Sequence, residues 1–344
     1  MEKRRMSDIK QREIWVDNVK VIACVLVVLG HFFQSMTKAN LLPANDLYRW
    51  FNQTIYYFHV PLFFICSGYL YQKLSKVNDA RSWLSNIWKK VISLGIPYFT
   101  FSFITWVLKT VFSSSTNDQI GGLFDTIFLH PTSQYWYLYA LFFIFLITPT
   151  FCSKTMAAAG FLIASVFKVI GIIGGGYGIQ AVSYILSNEI WFVIGMCLSV
   201  WNANTWLSNK KHVAIPTGLI FIALSVLVYK CNLQSKWIGF AMGVLACFSV
   251  IVLVMSAFSL ARQSVIFGFV AKYTMPVFLM HTLFAASLRA VLLRLGVHNA
   301  VMHVTLGLVI GFVGPIIAEE VMKKYKWLEF FLYPVKFIKC DKCE

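Results

Sequence analysis

Ten long apolar stretches are the feature of this sequence that most limits its fold. Each has about the ~20 residues that an α-helix needs to cross the hydrocarbon core of a bilayer. They lie at 19–36, 51–71, 91–112, 135–151, 155–173, 183–200, 213–229, 237–260, 266–293 and 301–322. The apolar residues form unbroken runs rather than an alternating pattern, which disfavours a membrane barrel. The sequence therefore predicts an all-α, polytopic integral membrane protein with about ten transmembrane helices.

The composition agrees with this fold class. Of the 344 residues, 58% are hydrophobic and only 13% are charged, about half the ~25% that is usual in soluble domains. We predict three parts: an N-terminal segment at 1–18, a transmembrane domain at 19–322 and a basic, aromatic tail at 323–344. The tail has the composition of a segment that lies against the surface of an anionic bilayer.

The basic residues predict the orientation of the chain. The net charge is +16, which would suggest a nucleic-acid partner for a soluble protein. Here, however, 21 Lys and Arg fall in the termini and one set of alternate connections, with the nearby Lys272 included, and 5 fall in the other set. Positive residues favour the cytoplasmic side. We therefore expect a multi-pass protein of the cell (inner or plasma) membrane with both termini in the cytoplasm, and no nucleic-acid partner.

The cysteines give little reason to expect a metal. Cys340 and Cys343 form a C-x-x-C pair near the end of the chain. A structural zinc site needs four ligands, and no further pair stands at a suitable spacing. We predict no metal.

Polar residues in the first span are the strongest sign of a functional site. Lys20 and His31 are eleven residues apart, so they share a helix face about 16 Å apart along the axis. Asp17, one turn before Lys20, extends this polar stripe. An ionisable side chain inside a membrane costs at least ~2.5 kcal/mol. The stripe fits a functional site, but it also fits a snorkelling lysine and a histidine that bonds a neighbouring helix.

With this topology, several ionisable residues fall in the outer half of the membrane, which favours a polar cavity that opens to the outside. They are His31, Lys109, Lys168, Glu189 and Arg289. Lys109 and Lys168 are also explained as snorkelling residues. Asp17 lies about 21 Å from His31 along the helix, which is too far for it to orient His31 if His31 acts as a base. Glu189 has a suitable depth for this role, so we predict His31 and Glu189 as the catalytic pair.

Four blocks of sequence together resemble the integral-membrane acyltransferase-3 family. They are residues 17–20 with His31, residues 58–69, residues 136–141 and residues 276–281. The family's opening block usually has an arginine, ten intervening residues and then the histidine, whereas this chain has Lys20 in the place of that arginine. The Asp-Asn-x-Lys form is similar to the fucose 4-O-acetylase-like branch. The resemblance extends over about residues 14–290.

The resemblance implies an O-acyltransferase, most simply an O-acetyltransferase. Acetyl-CoA or another acyl-CoA would donate the acyl group from the cytoplasm to a hydroxyl of a sugar, glycan or lipid-linked glycan at the outer face. His31 would deprotonate that hydroxyl or take up the acyl group first. The expected cofactor-binding residues are Lys20, Asp17, Arg81, Lys89, Lys90 and Ser67. The expected acceptor-binding residues are Trp136, Tyr139, His281 and Arg289.

Two other functions fit the sequence. An outward-facing polar cavity would equally serve a multi-span transporter or exporter, although the chain has no matching halves of the kind that transporters often show. A membrane-embedded binding or sensory module, in which His31 is dispensable, is the third possibility. The oligomeric state is not predicted.

Overall fold

The structure is a computed structural model that describes residues 13–112, 121–131, 133–174, 178–208, 210–257 and 263–338. All regular elements in these ranges are helices. Residues 1–12 of the predicted N-terminal segment and the Cys340–Cys343 pair lie outside the described residues.

Fourteen α-helices are numbered here in chain order within the described ranges. They are α1 (Ile14–Lys38), α2 (Asp46–Tyr56), α3 (His59–Leu74), α4 (Ala80–Lys90), α5 (Ile96–Val111), α6 (Trp136–Ile147), α7 (Lys154–Ile173), α8 (Gln180–Val200), α9 (Ala203–Leu207), α10 (Lys211–Lys230), α11 (Lys236–Ala257), α12 (Val265–Arg294), α13 (Ala300–Met322) and α14 (Lys326–Leu332). A π-helical turn at Val91–Gly95 joins α4 to α5 in one continuous rod.

The prediction of an all-helical membrane protein is confirmed. Eight helical segments of the described chain are long and apolar enough to cross a bilayer. The other two predicted stretches correspond to α3, with 16 residues, and α6, with 12. Each of the ten predicted stretches therefore contains a helix, but two of these helices are shorter than a typical span.

Two predicted helix boundaries are wrong. The stretch at 51–71 is divided, because α2 ends at Tyr56 and α3 begins at His59. Pro61 lies in the first turn of α3, where its missing N–H breaks no helical hydrogen bond. The stretch at 135–151 is helical only to Ile147, and the backbone is extended at Thr148.

Contacts between helix ends show that the bundle has two faces. At one face, Glu13 before α1 pairs with Lys73 of α3, and Asn204 of α9 donates a hydrogen bond to Glu13. We call this the termini face. At the other end of the bundle, Arg289 of α12 donates a hydrogen bond to the carbonyl oxygen of Ser35 of α1. We call this the opposite face. Helices α1 and α12 therefore run in the same direction and α3 runs in the opposite one, which agrees with the alternation predicted from the basic residues. The assignment of the termini face to the cytoplasm stays a prediction.

Helices α3 and α8 cross closely at two glycines. A Cβ atom on Gly68 would clash with the carbonyl of Phe192, and one on Gly195 with the carbonyl of Ile65. Small residues allow such close approach between membrane helices. Helix α1 packs against α3 and α12. This packing brings the polar residues of α1, α3, α8 and α12 into one region.

Candidate active site

A cavity of about 430 Å³ lies in the half of the bundle nearer the opposite face. Its lining comes from α1, the end of α2, α3, α6, α7, α8, α11 and α12, and from residues just before α3 and α6. It includes His31, His59, Trp136, Lys168 and Trp191. Imidazole, indole and ammonium groups therefore share one space, which is suited to a polar ligand that also has an apolar face.

His31 lies beside a second histidine, His281 of α12. The centroids of the two rings are 5.5 Å apart. The Nδ1 atom of His281 is 2.9 Å from the carbonyl oxygen of Val277 and 3.0 Å from that of Phe278. Because a carbonyl only accepts hydrogen bonds, Nδ1 carries the proton and Nε2 is an acceptor. That Nε2 atom is buried and has no hydrogen-bond partner within the described residues.

His59 is a third histidine at this site, and sequence reasoning did not select it. Its Nδ1 atom is 2.6 Å from the carbonyl oxygen of Ile55, so Nε2 is again the acceptor. The ring of Tyr56 packs against it edge-on, with centroids 4.6 Å apart. The signal was present, because His59 belongs to the second block that resembles the family. It stands at the start of α3, where the break after Tyr56 turns it into the cavity.

Glu189 does not take the place that we predicted for it. Its Oε1 atom accepts a hydrogen bond of 2.6 Å from the hydroxyl of Thr148, and it is not part of the cavity lining. The preceding residue, Asn188, does line the cavity. Consecutive side chains on a helix differ by about 100° around its axis. A residue at the same depth in the membrane as His31 therefore need not point towards the cavity. The imidazole beside His31 is that of His281.

The four predicted acceptor-binding residues fall in different places. Trp136 lines the cavity and stacks on Tyr184, with ring centroids 5.1 Å apart. His281 lies beside the cavity through its contact with His31. Tyr139 instead donates its hydroxyl to the carbonyl of Phe128 at 2.8 Å. Neither Tyr139 nor Arg289 is part of the cavity lining, and their roles in acceptor binding stay predictions.

Arg289 is engaged on another side of α12. Its guanidinium donates to the backbone carbonyl of Ser35, at 3.2 Å, and to the Ser35 hydroxyl. It is 8% exposed and is not part of the lining of the 430 Å³ cavity. In this position Arg289 joins α12 to α1.

Lys168 points into the cavity. Its Nζ donates to the carbonyl oxygen of Ser187 at 2.8 Å. It lies 5.2 Å from the ring centroid of Phe240 and 5.9 Å from that of Trp191. A snorkelling lysine would direct its ammonium to the membrane surface, whereas this one is held between α7, α8 and α11. Lys109 is not part of the lining.

The predicted cofactor-binding bases lie towards the termini face. Lys90 is half-buried, with Nζ 3.8 Å from the ring centroid of Phe145. Lys20 is close enough to repel it electrostatically. Asp17 and Lys20 lie within electrostatic range of the buried thiol of Cys66 in α3.

The other three residues predicted for cofactor binding are not part of this interior group. Arg81 and Lys89 are exposed on α4. Ser67 contacts the cavity wall instead, because its hydroxyl is hydrogen-bonded at 2.9 Å to that of Tyr137, a lining residue.

Comparison with known proteins identifies the family. The acyltransferase-3 profile, which describes an acyltransferase domain, matches residues 13–320. The chain belongs to the acyltransferase-3 family. The matched range contains every residue of the cavity lining.

Two curated relatives are nodulation proteins NolL. The protein from Sinorhizobium fredii strain NGR234 is 29% identical over 158 residues, which cover 46% of this chain and 42% of that protein. The protein from Mesorhizobium japonicum is 26% identical over 139 residues, which cover 40% and 35%. The chain thus spans less than half the length of these relatives. No solved structure matches it.

Proposed function

We propose that this chain is a membrane O-acyltransferase, most simply an O-acetyltransferase. It takes the acyl group from cytoplasmic acyl-CoA at the termini face and transfers it to a hydroxyl of a sugar, glycan or lipid-linked glycan in the cavity, which opens at the outer face. Family membership supports the reaction class. The observation that carries the proposal is the position of His31 in that cavity, beside the buried acceptor nitrogen of His281.

His31 acts as the general base in this reaction. It takes the proton of the acceptor hydroxyl while the hydroxyl oxygen attacks the thioester carbonyl carbon. The carbon–sulfur bond then breaks, and the CoA thiolate receives the proton from His31. A positioned base typically contributes a factor of 10²–10⁴.

His281 orients this base. With Nδ1 held by two carbonyls, its Nε2 atom is directed to accept an N–H from His31 after a small rotation of either ring. The bond would satisfy a buried acceptor that otherwise costs about 1–3 kcal/mol. The second nitrogen of His31 then faces the acceptor hydroxyl without a proton. This is the task that the sequence assigned to Glu189.

The basic residues near the termini face bind the phosphates of coenzyme A. Lys20 and Lys90 are the inner pair, and Arg81 and Lys89 are exposed beside them on the surface. Each base near an anionic group at this membrane face is worth on the order of 1 kcal/mol. The pantetheine arm then extends towards His31, about 16 Å further along α1.

Transfer of radiolabelled acetate from acetyl-CoA tests the proposal. Purified protein in detergent is expected to release free CoA thiol and to label a glycan, and both should depend on the acceptor. His31→Ala should abolish both while the protein remains folded and monodisperse. His298→Ala is the matched control, because His298 is exposed in the loop before α13, at the opposite face.

Undiminished activity of the His31→Ala variant would contradict the assigned base. The exporter alternative makes a different prediction. In that case the wild-type protein would release no thiol, and vesicles that contain it would accumulate or lose a solute.

A further inference from the structure

Among the described residues, the cavity lining holds two cations and no carboxylate. Lys168 of α7 and Lys236 at the start of α11 both line it, and the lining that these residues form contains neither Asp nor Glu. The two ammonium groups are close enough to repel one another. The cavity wall therefore carries a positive potential.

Lys168 is held in this position without a carboxylate partner. One N–H donates to the carbonyl of Ser187, and the rings of Trp191 and Phe240 contribute cation–π contacts. Within the part of the chain that the structure describes, no acidic side chain pairs with it. A partly buried cation is costly unless it is paired. A ligand with a negative charge would supply the missing partner.

We propose that the acceptor sugar carries an anionic group, a carboxylate or a phosphate, which binds between Lys168 and Lys236. This inference rests on the proposed function and specifies its substrate class. The indole rings of Trp136 and Trp191 contact the apolar faces of the sugar, and the acceptor hydroxyl faces His31. A cavity of about 430 Å³ is within the usual range of small-ligand sites, roughly 300–1,000 Å³, and suits one sugar unit with its charged substituent.

The CoA phosphates are not the expected occupant of this site. The bases assigned to them lie towards the termini face, whereas Lys168 is near the end of α7 and Lys236 begins α11 at the opposite face. The anion therefore belongs to the molecule that enters from the opposite face.

Calorimetric titration of the protein in lipid nanodiscs, without any acyl donor, tests the inference. The ligands are glucose, glucuronate and glucose 6-phosphate, so that neutral, carboxylate and phosphate forms are compared. At least one anionic sugar should bind tenfold or more tightly than glucose. The difference should shrink as salt is raised, because screening weakens partly exposed charge pairs.

Substitution of the two lysines identifies the site. Lys168→Met and Lys236→Met should each weaken binding of the preferred anionic sugar about fivefold to tenfold and leave glucose unchanged. Methionine keeps the apolar stem, so the cavity wall is preserved. Lys230→Met is the matched control, because Lys230 is exposed at the opposite face but does not line the cavity.

Three results would overturn the inference: equal affinity for the three sugars, no binding of either anionic sugar, or a Lys168→Met variant that weakens glucose and anionic sugars alike. The proposed function fails separately. A preference for anionic sugars without acceptor-dependent thiol release would contradict only the acyl transfer. Acyl transfer without preference for an anion would contradict only the inference about the acceptor.

Discussion

Basic side chains are held by different groups in the cavity and at the termini face. At the termini face, carboxylates compensate several bases: Lys73 pairs with Glu13, and Lys323 with Glu319 and Glu320. In the cavity, Lys168 is held by a backbone carbonyl and two aromatic rings. His59 and His281 are likewise held by backbone carbonyls, which leaves one ring nitrogen of each as an acceptor.

This difference separates groups that stabilise the fold from groups that are available to a ligand. A base already paired with a carboxylate gains little from an added anion, since its charge is compensated. A base or an imidazole that is positioned by backbone carbonyls keeps its charge or its second nitrogen for another molecule. Lys20 and Lys90 differ from these paired bases at the termini face: they lie near one another, and they are the inner bases that we assign to coenzyme A.

Substitution of His281 is expected to have the largest effect on this comparison. His281→Leu removes the acceptor nitrogen, so His31 loses its orientation and kcat should fall by roughly 10- to 100-fold, a part of what a positioned base supplies. The KM for acyl-CoA should not change, because the bases near the termini face are intact. His281→Gln should restore part of kcat, since its amide oxygen also accepts an N–H. Steady-state rates of thiol release measure both parameters.

A purely structural His281 would give another pattern. The Leu and Gln variants would then have equal activity, and any loss would follow their thermal stability. His303→Gln is the matched control, because His303 is buried and bonded to the carbonyl of Val297 but does not line the cavity.

Substitution of the inner bases near the termini face should have the reverse effect, in which KM changes and kcat does not. Lys20→Met and Lys90→Met are each expected to raise the KM for acyl-CoA about fivefold, from ~1 kcal/mol per base, with little change in kcat. The KM should rise more steeply with salt in the wild-type protein than in either variant. Lys76→Met serves as the control, because Lys76 is exposed in the connection between α3 and α4. A KM that rises equally in this control would show that the whole face acts by its net charge.

Much of the fold could be predicted because a membrane span is recognised from a single continuous stretch of apolar residues that is long enough to cross the bilayer. The break between α2 and α3 could not be predicted from hydropathy, since Tyr57 and Phe58 are as apolar as their neighbours. The relative directions of α1, α3 and α12 also agree with the distribution of basic residues, because charge is counted along the chain and needs no knowledge of packing.

The candidate site was predicted only where one helix carries it. Lys20 and His31 share a helix, so their relation follows from helical geometry alone. The side chain beside His31 depends on how α12 packs against α1. This packing cannot be read from the sequence of either helix alone. Depth in the membrane suggested Glu189, but rotation about the helix axis brings Asn188 to the cavity instead. The contact with His281 became visible only with the packed helices.

The smallest effect is expected where charge is already compensated. Lys73 is 39% exposed and pairs with Glu13, which is 12% exposed. Exposed ion pairs contribute about 0–1 kcal/mol, so Lys73→Met should lower stability by at most that amount, which thermal unfolding of the purified protein measures. The KM for acyl-CoA should stay unchanged, although Lys73 lies at the same face as Lys20 and Lys90. Glu13→Gln is the paired control, because it removes the same ion pair from the other side and frees the charge of Lys73. If Lys73→Met alone raised the KM as much as Lys90→Met does, compensation by a carboxylate would not distinguish the structural bases from those that bind coenzyme A.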